Sequence, residues 1–251
     1  ALDSVDFVFS LSGGTATLSK TYPISISVSG NTYTLGLTLT GTPDGTEFFT
    51  VVPLEEAIYD AAGNTASTTQ SNNTANLKDK TPATILSALI ASNSSVSLTF
   101  SEMVFSNSDG SGALDSADFI FSLSGGTATL SSTTPTSTSV GGNTYALGIS
   151  LTGTPDGSEV LTVVPADSAI YDAAGNVATT TQSNNTVILY DEAPPTAPTG
   201  FVATPGWNQV NLIWNANSEG DVVKYYIYGG TSLGSNMKMD STLSVSDKSA
   251  T

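Results

Sequence analysis

The sequence predicts an all-β protein built of antiparallel β-sandwiches in tandem. Polar and apolar residues alternate along many short segments, which is the period of a half-buried strand. Gly and Asn separate these segments at close spacing, which is typical of two-sheet sandwiches. A third observation is an internal repeat, which indicates that one unit occurs more than once along the chain.

The repeat relates residues 1–82 to residues 113–194 without a gap, and 59 of the 82 paired residues are identical. A complete unit extends from about residue 83 to residue 192. The first copy therefore lacks any counterpart of residues 83–112, which hold the first two predicted strands. Duplicated modules usually add length or valency, whereas enzymes seldom need two copies of one site. We therefore expect a structural or adhesive protein without enzymatic activity.

Three domains follow from this repeat and from a change of composition near residue 194. Residues 1–81 are a repeat that lacks its first strands, residues 82–193 are a complete repeat, and residues 194–251 are a partial domain. The proline-rich segment before the third domain should act as a short, semi-rigid spacer. Because the chain starts inside a repeat and without Met, we expect a segment of a longer protein.

The complete repeat contains nine predicted strands. In the clearest of them, Val96, Leu98 and Phe100 alternate with polar residues and should face the core. Gly-Asn pairs at residues 30–31 and 142–143 should form tight hairpin turns. The predicted strands are 84–91, 95–101, 119–123, 127–132, 136–140, 144–151, 160–164, 177–182 and 186–190.

A first copy without two strands should expose a sheet edge and part of its apolar core. Strands from a neighbouring chain would complete it, in a donor-strand route to filaments. Alternatively, the missing strands belong to the chain before residue 1.

The charge balance excludes several functions. The chain has 22 acidic residues, six lysines and neither Arg, His nor Cys, for a net charge of −16. Nucleic acids and anionic membranes are poor partners because they need clustered basic residues. Without His and Cys there is no Ser-His-Asp triad, Cys-His pair or ordinary zinc site. No apolar run reaches the roughly 18 residues of a membrane span, so we expect no membrane insertion in this segment.

The acidity itself has three explanations. It keeps a secreted protein soluble, or it indicates high-salt surroundings, or it indicates bound divalent cations that relieve the repulsion between carboxylates. A pair of acids could also serve glycoside hydrolysis if both flanked one cleft. The pairs at residues 44–47 and 156–159, however, lie in Asp-Gly-x-Glu sequences that favour turns.

Calcium is the cation for which strand counting gives a geometric argument. Successive antiparallel strands reverse direction, so the count assigns each loop to one end of a module. Calcium takes six to eight oxygen ligands, which clustered carboxylates supply. With 177–182 counted as a strand, the second junction gathers Asp172, Asp191, Glu192, Glu219 and Asp221. The same count at the first junction gathers Asp60, Asp79 and Glu102, with Asp109 as a further candidate.

Two explanations without metal stay open for these acids. Asp60 and Asp172 would accept hydrogen bonds from the backbone of their own turns, in which Gly63 and Gly175 supply positive φ angles. Lys78 and Lys80 would pair with Asp79 and its neighbours.

Two parts of the chain resemble known families. The sequence LTFSEMV at residues 98–104 and the loop YDAAGN at residues 59–64 and 171–176 are similar to bacterial immunoglobulin-like repeats of surface-layer proteins and large adhesins. That resemblance implies a cell-surface or secreted β-sandwich and names no ligand. Residues 195–251 resemble part of a fibronectin type III domain. Trp214 matches the buried strand-B tryptophan of that family, and residues 225–228 match its strand-C pattern.

Together these features imply a segment of a long extracellular bacterial surface protein that serves as a stalk or filament. The expected partners are other copies of the chain, neighbouring repeats, and cell-surface glycans or proteins. The alternative is a set of accessory spacer or carbohydrate-binding modules of a secreted carbohydrate-active enzyme. In that case Trp207, Tyr225, Tyr226 and Tyr228 would form a sugar-stacking surface, whereas a fibronectin-like core would use alternate residues of that strand.

Overall fold

The computed structural model describes residues 2–229 and, as strands, Met237–Ser244 and Ser249–Ala250. The protein is all-β, as predicted: every strand pairing is antiparallel, and the described residues contain two short 3-10 turns (Ser4–Asp6 and Ser116–Asp118) but no α-helix. No helix in this part of the chain has the length and apolarity needed to cross a membrane. The chain forms two compact units, Ala1–Asp191 and Glu192–Thr251. Both repeats lie in the first unit.

The second repeat is a two-layer sandwich. One sheet has the strand order β13-β14-β9-β8 and the other the order β11-β16-β18. Two short pairs, β12-β15 and β10-β17, complete the repeat. Its strands are β8 Ile85–Ser92, β9 Ser95–Phe100, β10 Val104–Phe105, β11 Phe119–Ser124, β12 Thr129–Leu130, β13 Thr138–Gly141, β14 Thr144–Gly148, β15 Leu151–Thr152, β16 Val160–Pro165, β17 Tyr171–Asp172 and β18 Thr186–Ile188.

One apolar core lies between the two sheets of this repeat. The predicted core residues Val96, Leu98 and Phe100 are fully buried, and so is Leu147 on the adjacent strand β14. Phe119 of the opposite sheet packs among them, with its ring 6.5 Å from that of Phe100. The alternation in the sequence therefore gives each strand one face that leaves water, which is the main source of stability in a sandwich.

At an offset of 112 residues, the first repeat forms counterparts of the strands β11 to β16 and β18, whereas the counterpart of β17 forms only an isolated bridge between Tyr59 and Thr65. Its sheets are β1-β6-β7, β3-β4 and β2-β5. The Gly-Asn pairs form the predicted two-residue hairpin turns in both repeats, where Gly30 and Gly142 have positive φ angles. The strands are β1 Phe7–Ser12, β2 Thr17–Leu18, β3 Ser25–Ser29, β4 Thr32–Gly36, β5 Leu39–Thr40, β6 Phe48–Pro53 and β7 Thr74–Asn76.

The predicted strand at residues 177–182 is wrong. Only Val177 forms an isolated bridge there, to Tyr171, and the chain continues without regular pairing until β18. After Val177 and Ala178 this segment has no apolar residue that a strand would bury, and the Gln182 side chain donates to the Thr179 carbonyl across a turn. Because the chain does not cross the sandwich here, β18 runs away from the end of the repeat that holds Asp172, and the residues after β18 do not return to that end.

The second unit contains β19 Val202–Gly206, β20 Gln209–Ile213, β21 Lys224–Gly229, β22 Met237–Ser244 and β23 Ser249–Ala250. Trp214 is buried, stacks on Phe201 and meets the Tyr225 ring edge-on at 5.4 Å. Tyr226 and Tyr228 point outward on β21. Residues 230–236, 245–248 and 251 of the predicted partial domain lie outside the described residues.

Two leucines of adjacent strands test this core. Leu98→Ala removes a fully buried side chain and should lower the free energy of unfolding by about 2–5 kcal/mol. Leu89→Ala removes a side chain that is 65% exposed and should change it by no more than about 0.5 kcal/mol. Urea unfolding followed by circular dichroism measures both, and equal losses would contradict the sandwich core.

Candidate metal site between the repeats

The linker between the repeats is fixed to both of them. On the side of the first repeat, the backbone N–H of Lys80 donates to the Pro43 carbonyl at 2.8 Å, and the Thr81 hydroxyl donates to the same oxygen at 3.0 Å. On the other side, the N–H of Ile85 donates to the Gln182 side chain at 2.8 Å, and Thr84 bonds to Ser101. The linker backbone therefore has defined partners, which holds the residues between these contacts in place.

Three carboxylates meet at this junction. They belong to Asp79 in the linker, Glu102 after β9 and Asp172 in β17, and one oxygen of each lies within 4.8 Å of the others. Asp172 is fully buried, whereas Asp79 and Glu102 are half-buried. Three acidic oxygens at this separation form a group that could hold a metal ion.

Asp172 is positioned by its own turn. Its Oδ1 accepts the backbone N–H groups of Ala174 and Asn176 at 2.8 Å, and its Oδ2 accepts the Asn176 side-chain amide at 2.8 Å. Gly175 follows at φ +85°, a conformation that favours glycine. β17 pairs with β10, so Asp172 lies opposite Val104 and close in sequence to Glu102. The turn explanation is thus shown for Asp172, and it orients this carboxylate within the cluster.

Asp79 is oriented in the same local way. Its Oδ1 accepts the Thr81 backbone N–H at 2.8 Å. Its backbone also runs close to Gly45, where an added Cβ would come within 3.1 Å of the Asp79 Cβ. Gly45 has φ +80°, so a side chain there would be strained and would also press on the linker.

The repulsion between the carboxylates of the cluster acts on the pKa of Glu102. Burial raises its pKa, and the negative charges of Asp172 and Asp79 raise it further, to about 7. Among the described residues, the charges that act on its pKa are those of Asp172 and Asp79, although Lys78 and Lys80 flank Asp79 in sequence. The cluster therefore binds a proton, or a cation in its place, more readily than an isolated carboxylate does.

Two predicted members of the first junction do not join this cluster. Asp60 occupies the turn equivalent to that of Asp172, and hydrogen bonds from Asn64 and Ala62 lower its pKa. That turn follows β6, while Asp79 lies beside Gly45 at the start of β6, so the two carboxylates are at opposite ends of the first repeat. Asp109 accepts hydrogen bonds from Ser111 in its own turn.

The predicted second junction is corrected in the same way. Asp191 follows β18 beside Gly157, whereas Asp172 lies at the other end of β16. The prediction that these two residues share a site is wrong, because residues 177–182 do not cross the sandwich. Asp172 takes the place predicted for Asp60, a result that the lack of apolar alternation in residues 177–185 could have indicated.

The other three predicted ligands belong to the second unit. Glu219 accepts hydrogen bonds from the hydroxyl and the backbone N–H of Thr196, which lower its pKa to about 2. Glu192 and Asp221 are exposed.

The acids at residues 44–47 and 156–159 form turns, and their glutamates are fully buried. Glu47 accepts backbone N–H groups of Thr15, Ala16, Asp44 and Gly45 at 2.9–3.2 Å. Burial opposes the ionised form of Glu47, but these hydrogen bonds outweigh it and lower its pKa. Glu159 repeats the arrangement with Thr127, Ala128 and Asp156. Both glutamates therefore bind loops together.

Comparisons of this chain with protein-family models, with curated proteins and with solved structures gave no match.

Stability should depend on pH through Glu102. Without divalent cations, the folded state holds the Glu102 proton more tightly than the unfolded chain, whose pKa is near 4.5. The resulting stabilisation is complete below pH 4.5 and is lost as the pH rises through about 7. In a chelator, the melting temperature of Glu102→Gln should therefore rise relative to the wild type between these pH values. If the melting temperatures of the wild type and of Glu102→Gln changed in parallel with pH, Glu102 would have an ordinary pKa.

Proposed function

We propose that this chain is a structural segment of an extracellular bacterial surface protein, in which tandem immunoglobulin-like sandwiches and a fibronectin type III-like module act as a spacer. The observation that carries this proposal is the junction between the repeats. A repeat that recurs with 59 of 82 residues identical is joined to the next by a linker that bonds to both sides. Such a junction limits bending between successive modules, which a spacer requires to keep its reach.

Composition supports the same function. The 22 acidic residues far outnumber the six lysines, and the chain has no Cys or His. A high negative charge favours solubility and discourages association with nucleic acids. The buried residues Glu47 and Glu159 accept hydrogen bonds from backbone amides and so serve loop structure. These features suit a load-bearing or adhesive role without catalysis.

The junction would be completed by a calcium ion. Asp79, Glu102 and Asp172 supply three hard oxygen ligands, and carbonyl oxygens or water would supply the rest of the six to eight that calcium prefers. A divalent cation would relieve the repulsion that raises the pKa of Glu102. Because one ligand comes from the linker and two from the second repeat, the ion would stiffen the connection.

Calcium should stabilise the first unit. At about 100 times its dissociation constant, a ligand adds about 2.7 kcal/mol to the free energy of unfolding. In a unit of this size that corresponds to a rise of roughly 5–10 °C in melting temperature. Thermal unfolding in calcium and in a chelator measures the difference. Glu102→Gln and Asp79→Asn should abolish it.

Glu55→Gln is the matched control, because Glu55 is exposed and lies outside the cluster. This variant should keep the full calcium response. Equal melting temperatures of the wild type in calcium and in chelator would rule out the ion, while the spacer proposal would still stand on the repeat.

A second function is favoured by exposed aromatic residues of the second unit. The Trp207 side chain is 92% exposed in the turn between β19 and β20, and Tyr228 is 55% exposed on β21. Flat aromatic faces in water are suited to stacking on sugar rings. Either exposed ring would serve an accessory module of a secreted carbohydrate-active enzyme.

Localisation separates the two functions. Antibodies raised against residues 1–251 should label intact, unpermeabilised cells of the source organism if the chain belongs to a surface stalk. Secretion into the medium, together with retention on a polysaccharide gel that Trp207→Ala abolishes, would instead support the accessory module. Labelling only after permeabilisation would contradict both.

A further inference from the structure

The first and last main strands of the second repeat, β8 and β18, lie side by side and run in the same direction. β8 begins at the end where the linker enters, since the N–H of Thr84 donates to Ser101, which precedes Glu102 of the cluster. The chain enters β18 from the same end, because the Gln182 side chain accepts the N–H of Ile85 at 2.8 Å. The two strands contact each other although they belong to different sheets.

A second connection joins these strands at their far end. The Asn93 side chain, in the turn after β8, donates to the Tyr190 carbonyl at 2.8 Å and accepts the Tyr190 N–H at 2.8 Å. The Tyr190 hydroxyl also donates to the Ile90 carbonyl at 3.1 Å. The pairs Ile85–Gln182 and Asn93–Tyr190 are both 97 residues apart in sequence, as expected for two segments that run parallel.

The bridge between Asn93 and Tyr190 is shielded from water. Asn93 is 8% exposed, and its amide supplies one donor and one acceptor to the backbone of a single residue. Two residues of adjacent antiparallel strands exchange hydrogen bonds in this same way. Breaking the bridge therefore leaves largely buried polar groups without partners, which is costly.

This bridge also lies where a stretching force would act. The linker leads into β8 at Ile85, and the chain leaves the repeat after Tyr190, at the opposite end. Tension on the segments before and after the repeat would therefore slide β8 and β18 past each other along their length. The bonds that join two sliding segments are loaded at the same time, whereas peeling would break them one after another.

We infer that Asn93 is a mechanical clamp, meaning a side chain that carries tension from the linker, through β8, to the exit of the second repeat. The inference rests on the proposed function, because the chain would be under tension only as part of a spacer. While the bridge holds, tension passes through β8 and this one side chain. The residues from Ser94 to Leu189, which contribute most of the core, are then largely relieved of it.

Stretching single molecules of the full chain from its two ends tests this inference. Residues 85–190 extend by about 3.3–3.6 Å each when they unfold, so a step of roughly 350 Å identifies the second repeat. Asn93→Ala should raise the rate of this step at constant force by about 10-fold, because forced unfolding follows the unfolding rate constant. The measurement is made in a chelator, so that it does not depend on the proposed calcium site.

Tyr190→Phe is a milder variant of the same contact. It removes only the hydrogen bond to Ile90, and Tyr190 is half-exposed, so the core is left intact. The rate of the same step should rise by about 3-fold.

Asn185→Ala is the matched control. Asn185 is 5% exposed and its side chain donates to the Val163 carbonyl at 2.8 Å, but it precedes β18, so tension reaches it only after the Asn93 bridge has broken. Urea unfolding should show a loss of stability in both alanine variants. Under force, the rate for Asn185→Ala should change by less than about 2-fold, because its hydrogen bond is still intact when the bridge breaks.

Equal acceleration of Asn93→Ala and Asn185→Ala under force would overturn the clamp and leave Asn93 with a role in stability alone. An unchanged rate in both Asn93→Ala and Tyr190→Phe would overturn it as well. Neither result touches the spacer proposal, which is tested by localisation.

Discussion

The core between the two sheets of the second repeat depends on the pairing of β9 with β14. This pairing brings Phe100 against Tyr145 and, across the sandwich, against Phe119. The sheet that contains it carries β8 at its edge. Ile85, the first residue of β8, donates to Gln182, and Thr84 of the linker donates to Ser101, which follows β9. Packing of the core thus also determines where the linker leaves the second repeat, and with it the position of Glu102 beside Asp79 and Asp172.

The two repeats show which structural properties depend on the local sequence and which depend on the rest of the fold. Phe7 and Phe119 occupy equivalent positions on equivalent strands, yet only Phe119 is fully buried. The local sequence determines the strand, its register and the turn that follows. Burial depends on the β8-β9 hairpin, which is distant in sequence from the residues that it covers.

The fold could be predicted because its signals are local. Alternation identified β9, and the Gly-Asn pairs identified the hairpin turns, since both properties involve neighbouring residues. The candidate site could be predicted only in part. Strand counting groups Asp79 and Glu102 correctly because only the β8-β9 hairpin separates the linker from Glu102. The place of Asp172 depends on whether a polar segment crosses the sandwich. A single strand more or less moves a loop by the whole length of the module, so small errors in local structure become large errors in a site assembled from distant residues.

The sequence does not reveal the roles of Glu47 and Glu159 for a related reason. They accept hydrogen bonds from backbone amides of a loop about 30 residues away in sequence, and backbone amides leave no pattern of side chains.

Those two glutamates also bear on how the copies diverge. Each carboxylate accepts hydrogen bonds from backbone amides, so the side chains of the donating residues can vary, except where space is short. Gly14 and Gly126 are such places, because a methyl group on either would overlap the glutamate side chain. Around this fixed contact, Thr46 of the first copy corresponds to Ser158 of the second, and Phe48 corresponds to Val160. The loop therefore tolerates substitutions such as these between the two copies while the hydrogen bonds that shape it are kept.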